Sequence, residues 1–563
     1  MVIENFMKDR YIKFLLDLSR LWVFPILMYF IILCILTYPL IFRFHTHFFA
    51  DTGDGLQNVW NIWWVNKAVT QLHQSPWYTT YLHYPKGTSL LGHTLNPFNG
   101  FLGIFLLKFL SLIETHNVIV IFSFVIGGFT AFWLSYFLTK SYWSSLIAGC
   151  IFTFSQYHFM HAEGHLQLVS LEWIPLFILM WYLLLIAPSI FKAIISAVVL
   201  FGVLLCDHYY FLCCILTAIL MILWRALSKK DFLFFLKKKY LSNFIIFIFV
   251  CLLTSGILVV SLLQLNRQDP LLGYHNPLEF SLDLLAPFIP GGHWRFSSLT
   301  QFYWSRLPGN INESSVYMGL SVIFLTVYVW IHRHKCRLNV SSLYLWYGIL
   351  FFFGIMALGP ALHIGGKRIF AGIMPYDILQ TLIPPLKLSG CPVRLMVMVM
   401  LSASVISAIG LCMLFRRLNP TRSLFIGAIL GAVLLFDSLP KPIPSSKIPI
   451  PGYIDLLKNL PENGGIIDTI NPGPIKLYYQ TIHERPMGDG YISRYPTSVY
   501  KEYVKKIQAI QTCEYTRLLE EYNICYLLTS SEIKDVSSDA LKSLYGDNKI
   551  ILFQITNKNV GIE

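Results

Sequence analysis

Two aspartates stand three residues apart in Asp51-Thr-Gly-Asp54-Gly, directly after the first long apolar stretch of the chain. A carboxylate placed just outside a membrane span can act as general acid or base on a lipid-borne substrate delivered there. The segment that follows carries Leu56, Val59, Trp60, Trp63, Trp64 and Lys67 at roughly helical spacing. Its indoles are expected at the headgroup level of a membrane interface. Asp54 could equally be the N-cap of that helix. A cap explains one aspartate and leaves the other for chemistry.

Three further groups could share such a site. His161-Ala-Glu163-Gly-His165 lies between two apolar segments, with Glu172 close to the start of the next one. The turn reads either as a solvated connection or as a binding site. Glu172 is harder to assign to a plain turn, because charge near a membrane core is costly and marks a cavity or pathway. Asp207-His208-Tyr209-Tyr210 interrupts what would otherwise be one long hydrophobic run, where a bare turn would use Gly, Asn or Ser. Arg394 opens an apolar segment just after Gly390-Cys-Pro392. It could hold a phosphate at the membrane surface or snorkel to the interface. Arg267, His293, Trp294, Arg295, Arg306, Lys367 and Arg368 are lesser candidates. His161, His165, His208 and the carboxylates could bind a divalent metal ion, although their spacing matches no ligand motif.

The elements that must position these residues are membrane helices. The 563 residues are 55% hydrophobic and only 13% charged, with a mean hydropathy of +0.58. A soluble domain carries roughly twice that charged share. Apolar runs of about 17–25 residues, long enough to cross a bilayer core, recur along the chain. The net charge of +13 comes from short basic loops between these runs. That distribution is the positive-inside signature and excludes a nucleic-acid groove. The eleven cysteines form no CxxC pair and no Cys/His metal spacing. Those in apolar runs, such as Cys34, Cys150, Cys213 and Cys251, read as packing residues. Cys513 and Cys525 could pair if their region is extracytoplasmic. Lys8, Arg10 and Lys13 precede the first apolar stretch without a cleavage site, so the first span is read as uncleaved.

Hydropathy places membrane helices near 20–43, 117–139, 143–160, 168–187, 189–206, 209–226, 242–263, 315–332, 343–358, 393–415 and 423–440. With the N-terminus in the cytoplasm, Lys140, the lysines at 229–239, Arg333, Lys335, Arg337, Arg416, Arg417 and Arg422 all fall inside. This parity requires that 97–113 not span, and it is read as a juxtamembrane or half-inserted helix. The opposite side then receives the loops 44–116, 264–314 and 359–392, and everything after 441. Past Leu439-Pro-Lys-Pro-Ile-Pro the chain turns polar, and short β-like runs (GIIDTI, ICYLLT, KIILFQI) alternate with helical patterns such as 499–522. That reads as a small extracytoplasmic α/β domain over 441–563. The fold class is therefore an all-α polytopic bundle of about 11 spans over 1–440, with that domain appended.

The order of motifs carries a resemblance. D-G-L-Q-N-V-W-N-I-W-W (54–64), Y-P-K-G (84–87), L-T-K-S (138–141), G-H-L-Q-L (164–168), W-I-P-L (173–176), S-L-D-L-L-A-P-F-I-P (281–290) and P-P-L-K-L-S-G-C-P-V-R (384–394) follow one another as written. Over about 1–440 this layout resembles the polytopic glycosyltransferases of the GT-C superfamily. The similarity is to uncharacterised bacterial branches related to protein mannosyltransferases and the lipid A aminoarabinose transferase. The resemblance implies a bacterial plasma-membrane enzyme. It would take a sugar from a polyprenyl-phosphate donor and pass it to an envelope glycan, lipid or protein on the extracytoplasmic side. It maps the acceptor-side carboxylate to Asp54 or Asp51, and a second acidic position to Glu163 or Asp207. The adjacent Asp-Glu pair of the mannosyltransferases is absent.

Together these readings make Asp54, with Asp51 second, the expected base. Glu163, His165, Asp207 and His208 are expected to shape the substrate or metal site, and Arg394 to hold the phosphate. Two rivals use the same residues differently. A transporter or lipid flippase would need paired repeats or matched broken helices, which the sequence lacks. A scaffold would work through its tail.

Overall fold

The computed structural model describes residues 17–336, 340–384, 386–416, 418–461, 464–531 and 539–556. Lys8, Arg10, Lys13, Arg337 and Arg417 of the charge argument lie outside the described residues.

The bundle is organised around the helix Met396–Phe415, whose residues from Met396 to Met413 are all buried. Leu112–Thr139, Tyr142–Thr153, Leu320–Ile331 and Val340–Ala357 pack against it. At the periphery, Ser19–Leu36, Lys238–Gln268 and Thr421–Ser438 leave most of their apolar side chains uncovered. Helices that are hydrophobic on all sides but covered on one are suited to lipid on the other. Among the described residues, six helices are long and apolar enough to cross a membrane: these three, Leu112–Thr139, His208–Lys229 and Pro392–Phe415. Five shorter apolar helices accompany them: Pro97–Leu106, Trp173–Ile186, Ile190–Cys206, Leu320–Ile331 and Ser342–Ala357. The chain is a multi-pass integral membrane protein.

Two expected helices are shorter than their hydropathy. The run 143–160 is not one helix. Tyr142–Thr153 ends, Ser155 accepts a hydrogen bond from the His158 amide, and a second helix, Gln156–His161, begins. Likewise 168–187 starts as a helical turn, Leu166–Val169, before the helix proper at Trp173–Ile186. The polar cap and the turn residues between them break apolar stretches that composition alone reads as continuous. Pro97–Leu106 has ten residues, about 15 Å of helix, half of a bilayer core. It does not span by itself.

The long connections gather at one end of the bundle. The Asp51 amide donates to the Glu163 carbonyl at 2.7 Å, Phe48 pairs with Ser446, and the Leu282 amide donates to the Ala357 carbonyl at 2.9 Å. The C-terminal region adds a four-stranded sheet. Gly465–Asp468 runs parallel to Ile524–Ser530, which pairs antiparallel with Ile550–Ile555, and that strand pairs antiparallel with Leu541–Gly546. Helices Gly452–Asn459, Gly473–His483, Thr497–Gln511 and Tyr515–Tyr522 surround it. The eleven cysteines are all free thiols, Cys513 and Cys525 included.

The tryptophans of the first loop correct an expectation. Trp60 and Trp64 are fully buried and Trp63 nearly so. Trp60 and Trp64 stack with ring centroids 5.7 Å apart. The Trp60 indole N–H donates to Gln480 Oε1 at 2.7 Å, and that of Trp64 to the Pro76 carbonyl at 3.0 Å. The helix Asp54–Thr70 therefore shares one apolar core with Leu477, Tyr478, Ile492 and the sheet. Its indoles face protein rather than lipid headgroups, because the C-terminal region supplies the apolar cover and the hydrogen-bond acceptors.

Candidate active site

Asp51, Asp54, Glu163 and His165 come together at the loop end of the bundle, and of the two aspartates it is Asp51, not Asp54, that accepts the helix-capping amides. Gly53 is the N-cap of Asp54–Thr70, and Asp54 is its first helical residue. Asp51 does the capping: its Oδ1 accepts from the Gly53 and Gly55 amides, both at 3.0 Å. Its other oxygen faces Gly164, where a Cβ would sit 3.0 Å from Asp51 Oδ2. Burial raises the Asp51 carboxyl above its usual range, against those two amide bonds.

Asp54 is left without a capping role. Its side chain is 41% exposed. The Tyr491 hydroxyl donates to Oδ1 at 2.9 Å, and His165 Nε2 lies 3.4 Å from Oδ2. Burial pushes this carboxyl up, but His165, by hydrogen bond and charge, and the Tyr491 hydrogen bond outweigh it and hold it below the ordinary value. The two loops are locked together by Asn58, whose Nδ2 donates to the Asp54 carbonyl at 2.9 Å and the Gly164 carbonyl at 2.6 Å.

The turn 161–165 is not solvated. His161 is fully buried, and its Nδ1 lies 3.0 Å from His165 Nδ1. A proton on His165 Nε2, donated to Asp54, and one on His161 Nδ1, donated to His165, satisfies both contacts. His161 Nε2 is then left without a hydrogen-bond partner. Burial pushes His161 well below its ordinary value. Glu163 points away from this chain: its Oε1 is 2.8 Å from His293 Nδ1, and His293 Nε2 is 2.8 Å from Asn312 Oδ1. Glu163 supports the site wall and does not reach Asp54.

Arg394 neither snorkels nor stands free. It is 8% exposed and pairs with Glu313, Nε to Oε1 at 3.0 Å with a second bond from Nη2. Gly390 allows the turn before it: φ is +67°, and a Cβ would overlap the His275 carbonyl. Glu313 sits in the four-residue helix Ile311–Ser314, capped by Asn310. Burial alone would raise its carboxyl, but the Arg394 charge holds it down to about 2. Nothing in the spacing of the sequence marked Glu313. Its one signal was an acid in a polar loop directly before a membrane helix.

Asp207 and His208 line a cavity of about 300 Å³ beside this pair. Asp207 is also a cap: its Oδ1 accepts from the Tyr209 and Tyr210 amides at 2.8 and 3.0 Å. Burial raises its carboxyl against the charges of Arg394 and His208. Leu204, Leu212, Val259 and Leu263 form the apolar wall, and Arg394, Ser493 and Arg494 the polar one. Segment 491–494, which the sequence did not single out for chemistry, thus touches both parts of the site. Among the other candidates, Glu172 is buried against Ser123 Oγ at 2.5 Å. Trp294 and Arg295 bond the Phe436 and Pro440 carbonyls, and Lys367 and Arg368 lie on an exposed hairpin. None of these joins the site.

Among the described residues, one group could hold a metal ion. His161, His165 and Glu313 each offer an atom within 4.8 Å of the others. Two imidazoles and a carboxylate suit a zinc-class ion, and His161 Nε2 and Glu313 Oε2 are buried and unpartnered. The donor set fits.

A family model described as a domain of unknown function (DUF6311) matches residues 26–437. No curated protein sequence matches the chain. Among solved structures it is similar to the arabinofuranosyltransferase AftD from Mycobacteria, with a TM-score of 0.55 at 14% identity. That match covers 96% of this chain and 42% of AftD, so the chain spans about two fifths of the larger protein's length. ArnT from Cupriavidus metallidurans, solved bound to undecaprenyl phosphate, aligns over 95% of this chain and 99% of its own, with a TM-score of 0.48 and 9% identity. AglB, an oligosaccharyltransferase from Archaeoglobus fulgidus solved with an inhibitory peptide and a dolichol-phosphate, covers 84% of this chain and 65% of its own, with a TM-score of 0.39 and 12% identity. The fold is that of the GT-C glycosyltransferases.

Proposed function

The chain belongs to the DUF6311 family, and from that starting point we propose that it is a membrane glycosyltransferase. It takes a sugar from a polyprenyl-phosphate donor and transfers it to a cell-envelope acceptor on the extracytoplasmic side. The observation that carries this reading is a half-exposed carboxylate, Asp54, hydrogen-bonded by Tyr491 and beside His165, which segment 491–494 links to an apolar-walled cavity holding arginines. The apolar wall suits a prenyl chain, and the arginines suit its phosphate.

Asp54 takes the proton of the acceptor hydroxyl as it attacks the anomeric carbon. His165 and Tyr491 fix the carboxylate and keep it ionised. The leaving group is a lipid phosphate of already low pKa, which needs charge stabilisation rather than protonation, and Arg394 supplies it. Attack from the face opposite the phosphate inverts the anomeric centre. Asp51 shapes the base by capping its helix, and Asp207 and His208 shape the donor cavity. A divalent ion, where bound, would be held by His161, His165 and Glu313 and would add positive charge next to the leaving group.

Mass spectrometry of lipid-linked sugars and envelope glycans in a deletion strain tests the reading. A polyprenyl-phosphate sugar should accumulate while one glycan component disappears. An unchanged lipid-linked pool and unchanged glycans would overturn it.

A further inference from the structure

Arg494 is a cation without a counterion. Its Nε donates to the Leu388 carbonyl at 2.9 Å, Nη1 to its neighbour Ser493's carbonyl at 2.6 Å, and Nη2 lies 3.5 Å from the Ser389 carbonyl. Among the described residues no carboxylate is within ion-pair distance of it. Arg394, on the same cavity wall, is matched by Glu313. Asp207, the acid of that cavity, spends one oxygen on two helix amides. A half-buried guanidinium held only by main-chain carbonyls, facing a second guanidinium, is costly without an anion.

The segment that carries Arg494 is fixed rather than loose. Ser493 donates its amide to His93 Nδ1 at 3.1 Å, and Ser493 Oγ accepts from Gln57 Nε2 at 3.1 Å and lies 2.8 Å from Thr94 Oγ1. His93 Nε2 in turn meets Asn61 Oδ1 at 3.0 Å. Three residues before Arg494, Tyr491 bonds Asp54. The main chain thus carries an unmatched arginine and a base-orienting tyrosine within about 10 Å of each other.

We propose that Arg494 binds the phosphate of the lipid-linked donor, so that the C-terminal segment Tyr491–Arg494 completes the active site of the membrane bundle. This rests on the donor reading above. Arg494 and Arg394 clamp the phosphate from two sides, one from the tail and one from the head of the central helix. Burial and the charge of Arg394 push the Arg494 guanidinium down to about 10, a strain that a bound anion relieves. Tyr491 is a positioning residue, acting through Asp54. The tail is therefore a working part of the donor site rather than an appended module.

The test uses the full chain in detergent, with a polyprenyl phosphate and the matching polyprenol as probes. The wild type should bind the phosphate more tightly than the alcohol. Arg494→Gln should weaken phosphate binding about tenfold or more while leaving polyprenol binding unchanged, and Arg494→Lys should recover part of it. Inorganic phosphate at millimolar concentration should not displace the lipid. Hydrogen exchange on the wild type gives a readout that needs no variant: the amides of 490–496 should slow with the phosphate and not with the alcohol. Unchanged phosphate affinity in Arg494→Gln, or exchange that ignores the phosphate, overturns the assignment while the donor reading stands. Displacement by inorganic phosphate overturns the lipid-borne ligand. A wild type that does not distinguish phosphate from alcohol overturns the donor reading and this assignment with it.

Discussion

The site has two ends built on opposite principles. At the base end, Asp51, Asp54, Glu163 and His165 come from two short stretches joined by main-chain and amide hydrogen bonds, and Asp54 stays in contact with water. At the cation end, Arg394, Glu313, Asp207 and Arg494 come from four distant stretches; Arg394 and Glu313 are buried, and Asp207 and Arg494 half-buried. The exposed end can exchange protons with solvent and receive a substrate hydroxyl. The buried end has a low effective dielectric, where a charge counts for more and an unpaired one costs more. In the proposed reaction this would separate proton transfer from charge stabilisation.

The largest effect that bears on this division is expected at Asp54. Asp54→Asn keeps the volume and most hydrogen bonds but removes the base, and transfer by membranes carrying it should fall about 10²- to 10⁴-fold. Asp51→Asn keeps one capping oxygen and should lose far less. Equal losses in the two variants would erase the distinction between base and cap.

At the other end, Glu313→Gln leaves Arg394 buried with half its partner. Breaking a buried pair costs about 3–5 kcal/mol, read as a lowered thermal midpoint in detergent. The pH dependence has a definite sign. The Glu313 carboxyl is held down to about 2 in the folded protein, so its stabilisation is present above the ordinary carboxylate range of about 4.3. It is lost as pH falls from there toward 2. Glu313→Gln should lack that acid-side loss. A variant as stable as the wild type at neutral pH would mean that the cation end is not organised by this pair.

The same contrast explains what the sequence disclosed. Asp51, Asp54, Glu163 and His165 were legible because each is a polar residue next to an apolar run, where position itself is a signal. What the sequence left open was the cap: the helix starts one residue earlier than an Asp54 cap would require, Gly53 takes the cap position, and Asp51 accepts the amides. The tryptophans misled for a related reason. Periodicity reports that a face is apolar, not whether lipid or protein covers it, and here Gln480 and the Pro76 carbonyl supply the indole partners. Glu313 and Arg494 belong to the end assembled over long range. Each gains its meaning from Arg394, 81 residues from Glu313 in sequence, and no local pattern encodes that meeting. The GT-C fold was legible from motif order, whereas the breaks at Ser155 and before Trp173 were hidden inside apolar stretches.

The smallest expected effect joins the two ends. Tyr491→Phe removes one hydroxyl, the donor to Asp54 Oδ1 at 2.9 Å. That bond favours the ionised carboxylate, so its loss raises the Asp54 pKa and moves the acid limb of the transfer rate to higher pH. A hydrogen bond to a partly exposed charged group is worth about 1 kcal/mol, which keeps the shift below about one pH unit. Above the limb Asp54 is ionised in both proteins, and the rates should agree within about threefold. A rate profile in membranes carried below the ordinary Asp value of about 3.9, where the lowered Asp54 limb lies, and up to neutral pH separates the possibilities. A limb that stays in place would show that His165 alone sets the base. A rate depressed equally at every pH would give Tyr491 a direct contact with substrate, placing the tail on the acceptor side of Asp54 as well as on the donor side.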